Sequence, residues 1–386
     1  MNAETLLLAL IRTVICGDTL DKCEISACTP TNLEAVYSLA RRHDLAHLAG
    51  QALSKLELPQ SDILDKCKKA AMSAFLRYTQ QDYAFSQVAK AFEDAGIPFI
   101  PLKGTVLRKY YPESWYRTSS DMDILVHEAD LACATKLLTE KLGYKHCKKT
   151  SHDVSFLSPE QVYLELHYST IEDFISKDAA ALMGTVWEKA FPVPGYTCRL
   201  QLPDDLFYYY HIAHAAKHLM GGGCGIRAFL DIWVLEKLVP HSRADREALL
   251  IQGGMLSFAT AAEKLSRIWF EQEAADPMSQ LLAQFILSGG TFGNLENRVS
   301  INQSRRGGKF KYALSRIFLP YSILQYHYPI LQKHKILFPL YQVVRWCKLL
   351  FCGGATRSIE ELQTNSGVTP EQKQTAAALL NYLQLQ

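Results

Sequence analysis

Two aspartates one residue apart open a short apolar run, Asp121-Met122-Asp123-Ile124-Leu125-Val126. The run reads as a strand, on which residues i and i+2 share a face. Asp121 and Asp123 then stand side by side, while Met122 and Ile124 turn the other way. Adjacent carboxylates repel one another unless a cation lies between them. A hard divalent ion such as Mg²⁺ takes carboxylate oxygens together with phosphate oxygens, so the pair makes a metal site suited to a phosphate-bearing ligand. A third carboxylate would complete a two-ion site. The candidate is Glu165 in Val162-Tyr163-Leu164-Glu165-Leu166-His167, with Asp153 next in line. Strand parity puts Glu165 on one face with Tyr163 and His167, and Leu164 and Leu166 toward a core. His167 reads first as a packed, hydrogen-bonded strand histidine and second as a group that orients a ligand or relays a proton. Gly104, in Leu102-Lys103-Gly104-Thr105, falls at a strand-to-helix turn, where backbone and a helix N-terminus can approach a phosphate.

A second constellation is His211, His214 and His218. On a helix these lie within about 60° of one another. Arg227 and Asp231 follow beyond a glycine loop. Zinc is disfavoured, because Lys217 is close and the spacing matches no standard site. A cleft-lining face and plain structure both remain open.

The elements that would hold these groups follow from local pattern. Residues 1–96 read as helical. Thr31 and Glu34 have capping-box spacing, and Asp62 to Asp94 lacks Gly and Pro until Ala95-Gly96 ends it. Ile97–Leu102 reads as a strand whose prolines favour an edge. An amphipathic stretch from Gly104 to Tyr110, the Asp121–Val126 strand, a helix over Ala129–Leu142 and a hairpin of Val154–Leu157 with Val162–Tyr168 come next. From Leu202 the pattern is helical again, broken at glycine pairs and triplets. A last helix starts at Thr369-Pro370-Glu371-Gln372.

At 386 residues the chain allows two or three domains, and 48% hydrophobic with 21% charged residues argues against disorder, collagen or a long coiled coil. Ten cysteines without a C-x-x-C pair fit reduced thiols better than a zinc ribbon or a disulfide scaffold. No targeting segment stands out, and no apolar run of about 18 residues predicts a spanning helix. The expectation is a cytoplasmic protein, with a position peripheral to a membrane as the variant. The net charge of +2 conceals an asymmetry: residues 297–359 carry eleven basic and no acidic side chains, interleaved with aromatics. Such a stretch suits an anionic membrane surface or nucleic acid. The plainer reading is a helical subdomain whose charges pair with the acidic remainder.

Taken together, L-K-G, Y-P, R-x-x-x-D-x-D-I-L-V and E-L-H over residues 97–170 resemble an uncharacterised bacterial nucleotidyltransferase family of the DNA polymerase beta-like superfamily. Thr105 stands where the wider superfamily often has Ser. The resemblance implies an α+β fold, with a small mixed-sheet nucleotidyltransferase core (97–200) between an N-terminal helical segment (1–96) and a C-terminal helical domain (201–386). It implies an enzyme that moves a nucleoside monophosphate from an NTP, ATP included, to a hydroxyl acceptor on a small molecule, sugar, protein or RNA. Asp121, Asp123 and Glu165 would hold Mg²⁺, with Mn²⁺ as its substitute. Gly104 and Thr105 would cradle the β- and γ-phosphates. Lys103 or Arg117 would offset negative charge, although Lys103 also reads as an ordinary surface lysine and Arg117 as an ion pair that holds the aspartates. A similar histidine helix with R-x-x-x-D in the family suggests cleft lining for His211, His214, His218, Arg227 and Asp231. The alternative is a catalytically degenerate protein on the same fold that senses nucleotide or binds a partner.

Overall fold

The computed structural model describes residues 1–150, 152–170, 176–351 and 355–385. Its first helix, α1 (Ala3–Ile15), buries the apolar run from Leu6 to Ile11. Helix α2 (Pro30–Arg42) starts at Thr29, not Thr31: the Thr29 side chain accepts the Asn32 N–H, and Pro30 takes the first position, where its missing N–H is no loss. Helix α3 (Ala46–Leu53) packs against α4 (Asp62–Asp94), a single uninterrupted helix that ends at Ala95 and Gly96, the latter with φ +69°.

Five strands follow: β1 (Phe99–Pro101), β2 (Asp121–Val126), β3 (Lys145–Lys149), β4 (Asp153–Leu157) and β5 (Tyr163–His167). Their spatial order is β1-β2-β5-β4-β3. The β2–β5 pair is parallel and the others antiparallel, so the sheet is mixed and the proline-bearing β1 lies on its edge. The expected β4–β5 hairpin is present. The expected helix from Gly104 to Tyr110 is shorter: four helical residues, Gly104–Leu107, and one tight turn, Arg108–Tyr110. Arg108 folds back to donate to the Gly104 carbonyl at 3.1 Å, and Pro112 follows. The helix expected over Ala129–Leu142 runs from Leu131 to Lys136 and widens over Leu137–Lys141.

The labelled helices of the second half are α5 (Asp204–Met220), α6 (Gly225–Leu238), α7 (Leu295–Arg306), α8 (Lys309–Ile317), α9 (Phe338–Phe351) and α10 (Pro370–Leu383). The Thr369–Gln372 capping box at the start of α10 forms as expected. The whole is an α+β arrangement, one five-stranded sheet among helices.

Two cores position the strands. Met122, Ile124, Val126, Leu164 and Leu166 pack with Val88 and Phe92 of α4 on one face of the sheet. A larger apolar core extends from Leu6 to Leu385 and joins the N-terminal helices to α5, α6 and α10. Among the described residues, no helix is long and apolar enough to cross a membrane.

Candidate active site

Because Met122, Ile124, Leu164 and Leu166 take the core face, Asp121, Asp123, Glu165 and His167 project from the other. The parallel register sets Asp123 opposite Glu165 and Leu125 opposite His167. The four side chains line a cleft of about 290 Å³ whose far wall comes from α5 and α6. Ligand atoms of Asp123, Glu165 and His167 lie within 4.8 Å of one another, an arrangement that could hold a divalent cation.

Lys103 is not a surface lysine. Its Nζ lies 2.6 Å from Asp123 Oδ1, and its side chain is 19% exposed. The residue has φ +46°, a region that side chains other than Gly rarely adopt. Strain of about 1–3 kcal/mol is expected there, and the ion pair with Asp123 opposes it. His167 Nε2 donates to the same Asp123 oxygen at 2.9 Å and lies 3.4 Å from Glu165 Oε2. Burial alone would raise the Asp123 pKa, but Lys103 and His167 hold it well below the usual carboxylate range. Burial would lower His167, yet its bonds to Asp123 and Glu165 raise it. Asp121 differs: burial, then repulsion from Asp123, push its pKa up to about 6. A carboxylate raised in this way beside two others lacks positive charge, which is what a bound cation supplies. The donor set fits such an ion.

Gly104 lines the cleft, and a Cβ there would come within 3.0 Å of the Ser119 Cβ and 3.2 Å of its Oγ. The glycine therefore admits the Ser119 loop. Thr105 faces a separate groove with Tyr78, Gln81 and Arg108, so it does not stand where the phosphate cradle was expected. Ser119 and Ser120 line the cleft instead. Successive residues of a helix point about 100° apart, so Thr105 cannot share the direction of Gly104.

Arg117 holds neither aspartate of the D-x-D pair. It is buried, and its Nε donates to Asp231 Oδ1 at 2.6 Å. Burial would lower its pKa, but Asp231 raises it, and Arg117 in turn holds Asp231 low against the effect of burial. Tyr111 donates to the same Asp231 oxygen at 2.6 Å. Arg227 binds Asp44 and donates to the Thr118 carbonyl, while Thr118 Oγ1 donates to Asp44 Oδ2 at 2.9 Å. Gln81 donates to the Ser119 carbonyl at 2.9 Å. Arg117, Thr118 and Ser119, just before β2, are thus pinned from α4, α6 and Asp44.

His211, His214 and His218 all line the cleft. His211 lies 3.8 Å from Asp231 Oδ2, and His214 and His218 meet Nε2 to Nε2 at 3.2 Å. Burial lowers all three, His218 to about 4, so each is neutral at pH 7. No zinc cluster forms from them among the described residues. Asp153, the reserve carboxylate, also lines the cleft but is tied to Thr150 and His152. The sequence reading missed Asp44, Gln81, Tyr111, Ser119, Ser120 and Tyr210. Ser119 and Ser120, directly before Asp121, Tyr111 in the Y-P pair, and Tyr210, a cleft-lining neighbour of His211, carried a local signal, whereas Asp44 and Gln81 act only through contacts distant in sequence.

A family model described as uncharacterised nucleotidyltransferase matches residues 29–269. The chain belongs to this family, which gives nucleotidyl transfer as its class of reaction. No curated protein and no solved structure matches the chain.

Proposed function

We propose that the cleft transfers a nucleoside monophosphate from an NTP to a hydroxyl acceptor in a Mg²⁺-dependent reaction. The observation that carries this reading is the convergence of Asp121, Asp123 and Glu165 on one cleft face, with the Asp121 pKa raised by burial and then by Asp123. Asp121, Asp123 and Glu165 would hold the metal, with His167 beside them; when bound, Mg²⁺ neutralises the triphosphate and stabilises charge on the transferring phosphoryl group. Lys103 reaches toward the phosphates from Asp123. Glu165, one-third exposed, takes the acceptor's proton at its carboxylate. A bond forms between the acceptor oxygen and the α-phosphorus. The bond from the α-phosphorus to the bridging oxygen breaks, and pyrophosphate leaves with the electron pair. Arg117 and Asp231 are positioning residues that fix the loop before β2. In this reading 97–200 is the catalytic unit, flanked by 1–96 and 201–386.

One observation favours a second reading. Lys103 Nζ and His167 Nε2 already neutralise Asp123 without a metal, as a degenerate nucleotide sensor would require. The two separate by product: incubation of the full chain with each α-labelled NTP, Mg²⁺ and a panel of hydroxyl acceptors should release pyrophosphate and transfer label. Tight NTP binding with no pyrophosphate released would favour the sensor.

We also propose an anionic membrane surface as partner for 297–359. Phe310, Ile336 and Phe351 are 79%, 89% and 84% exposed in a stretch without acidic residues. Bare apolar side chains in a stretch rich in lysine and arginine suit a lipid interface better than nucleic acid. Residues 352–354 of the stretch lie outside the described residues.

A further inference from the structure

A cavity of about 860 Å³ adjoins the carboxylate cleft of about 290 Å³ and shares Lys217, His218 and Phe292 with it. Its volume is that of a pocket for a small-molecule ligand. The remaining wall has two characters. Arg305 and Arg306, from the end of α7, supply positive charge. Met220, Ile323, Leu380 and Leu385 supply an apolar surface. Among the described residues, no acidic side chain lines the space.

The two arginines stand apart from their neighbours. Arg298 and Arg316 both bind Glu361, at 3.1 and 3.0 Å. Among the described residues, the ion pairs include none to Arg305 or Arg306. Burial and the adjacent Arg306 charge lower the Arg305 pKa, which agrees with a pair of cations that lacks an anion. Basic residues in the last turn of a helix are favoured by its dipole. That preference explains why arginine occurs at these positions. It does not explain a large cavity with no acidic side chain among the described residues of its wall.

The shared wall sets the two spaces side by side. The Phe292 ring is 68% exposed and lies 6.0 Å from the His218 ring. His218 in turn touches His214 within the cleft.

We infer that this cavity is the acceptor site, and that the acceptor is a small molecule with an oxyanion group on an apolar body. The inference rests on the reading of the cleft as a nucleotidyl-transfer site. Arg305 and Arg306 grip the oxyanion, for which planar guanidinium groups are well suited. The apolar body lies against Ile323 and Leu380. The acceptor hydroxyl passes His218 and Phe292 to reach the α-phosphorus. The reaction is then the one given above: the acceptor oxygen gains the nucleotidyl group, its proton passes to Glu165, and pyrophosphate leaves.

The test is isothermal titration of the full chain with octyl phosphate below its micelle-forming concentration. Inorganic phosphate supplies the anion alone, and octyl glucoside the apolar body alone. Octyl phosphate should bind one per chain and at least tenfold more tightly than either control. The double variant Arg305→Ser/Arg306→Ser should weaken it at least tenfold. Ala377→Trp, which fills the space from α10 without altering charge, should do the same. Both variants should leave Mg·NTP binding in the cleft within twofold of wild type. Octyl phosphate that binds no better than octyl glucoside, or that binds both variants normally, overturns the proposal. If octyl phosphate binds as stated while wild type takes up no Mg·NTP, the anion pocket stands and the reading of the cleft is what fails.

Discussion

Asp121 and Asp123 share a strand face yet differ in charge environment, because Lys103 and His167 both turn their donors to Asp123. The Asp121 proton is held more tightly in the fold, to about pH 6, than at the ordinary aspartate value of 3.8. Between those values the folded chain binds more protons than the unfolded one, so this group's contribution to stability falls as pH rises through the window. Asp121→Asn removes the penalty. It should raise metal-free stability at pH 7.5 by about 1–3 kcal/mol and have little effect below pH 4, as read by urea unfolding at both pH values. The same variant should lose Mg²⁺-dependent NTP binding. A variant less stable than wild type at pH 7.5 would contradict this assignment. Glu165→Gln keeps the shape and removes the charge. It should leave Mg·NTP binding within several-fold and lower turnover about 10²-fold or more; normal turnover in a single-turnover assay would remove Glu165 from the chemistry. These carboxylates were legible in the sequence because strand alternation alone sets their face. Lys103 was not, because its direction depends on a positive φ and a partner twenty positions away.

At the scale of elements, the segment Arg117–Ser120 has no helix or strand of its own, and its shape comes from what grips it. Asp231 on α6 takes Arg117, Asp44 takes Thr118 and Arg227, and Gln81 on α4 takes Ser119. Removal of one partner from a buried ion pair leaves an uncompensated charge. Asp231→Ala should therefore cost about 3–5 kcal/mol, seen as a lower urea midpoint at unchanged slope. A loss below about 1 kcal/mol would mean that the pair does not anchor the loop. The apolar strands and the long helix α4 were legible from periodicity and from the absence of Gly and Pro. Strand β3, Lys-His-Cys-Lys-Lys, was not, since all five residues are exposed and only its pairing with β4 makes it a strand. The short helix after Gly104 was read too long for a similar reason: what ends it is the fold-back of Arg108, which touches Gln81 and Ser119 as well as Gly104.

At the scale of the whole molecule, the helical character of both ends was legible, but not their union in one core. That union depends on contacts between residues about 180–250 apart, such as the Ile226 N–H donated to His43 Nδ1 at 3.2 Å and the Thr291 N–H donated to the Arg42 carbonyl at 2.9 Å. Charge asymmetry was legible by counting, and its consequence can be measured. Vesicles containing anionic lipid should bind the full chain, and binding should weaken strongly between about 50 and 200 mM salt. Phe310→Glu/Phe351→Glu should abolish it, and binding to an RNA mixture in preference to vesicles would contradict the lipid assignment. The central claim is that Asp121 and Asp123 bring Mg²⁺ and an NTP together on the sheet face that Glu165 shares. It is tested most directly by calorimetric titration of each NTP, with and without Mg²⁺, into wild type and Asp123→Asn chains of confirmed fold. The account expects one NTP per chain, bound at least tenfold more tightly with Mg²⁺, and no such Mg²⁺ effect in the variant. A variant that shows the same Mg²⁺-dependent binding as wild type would contradict it.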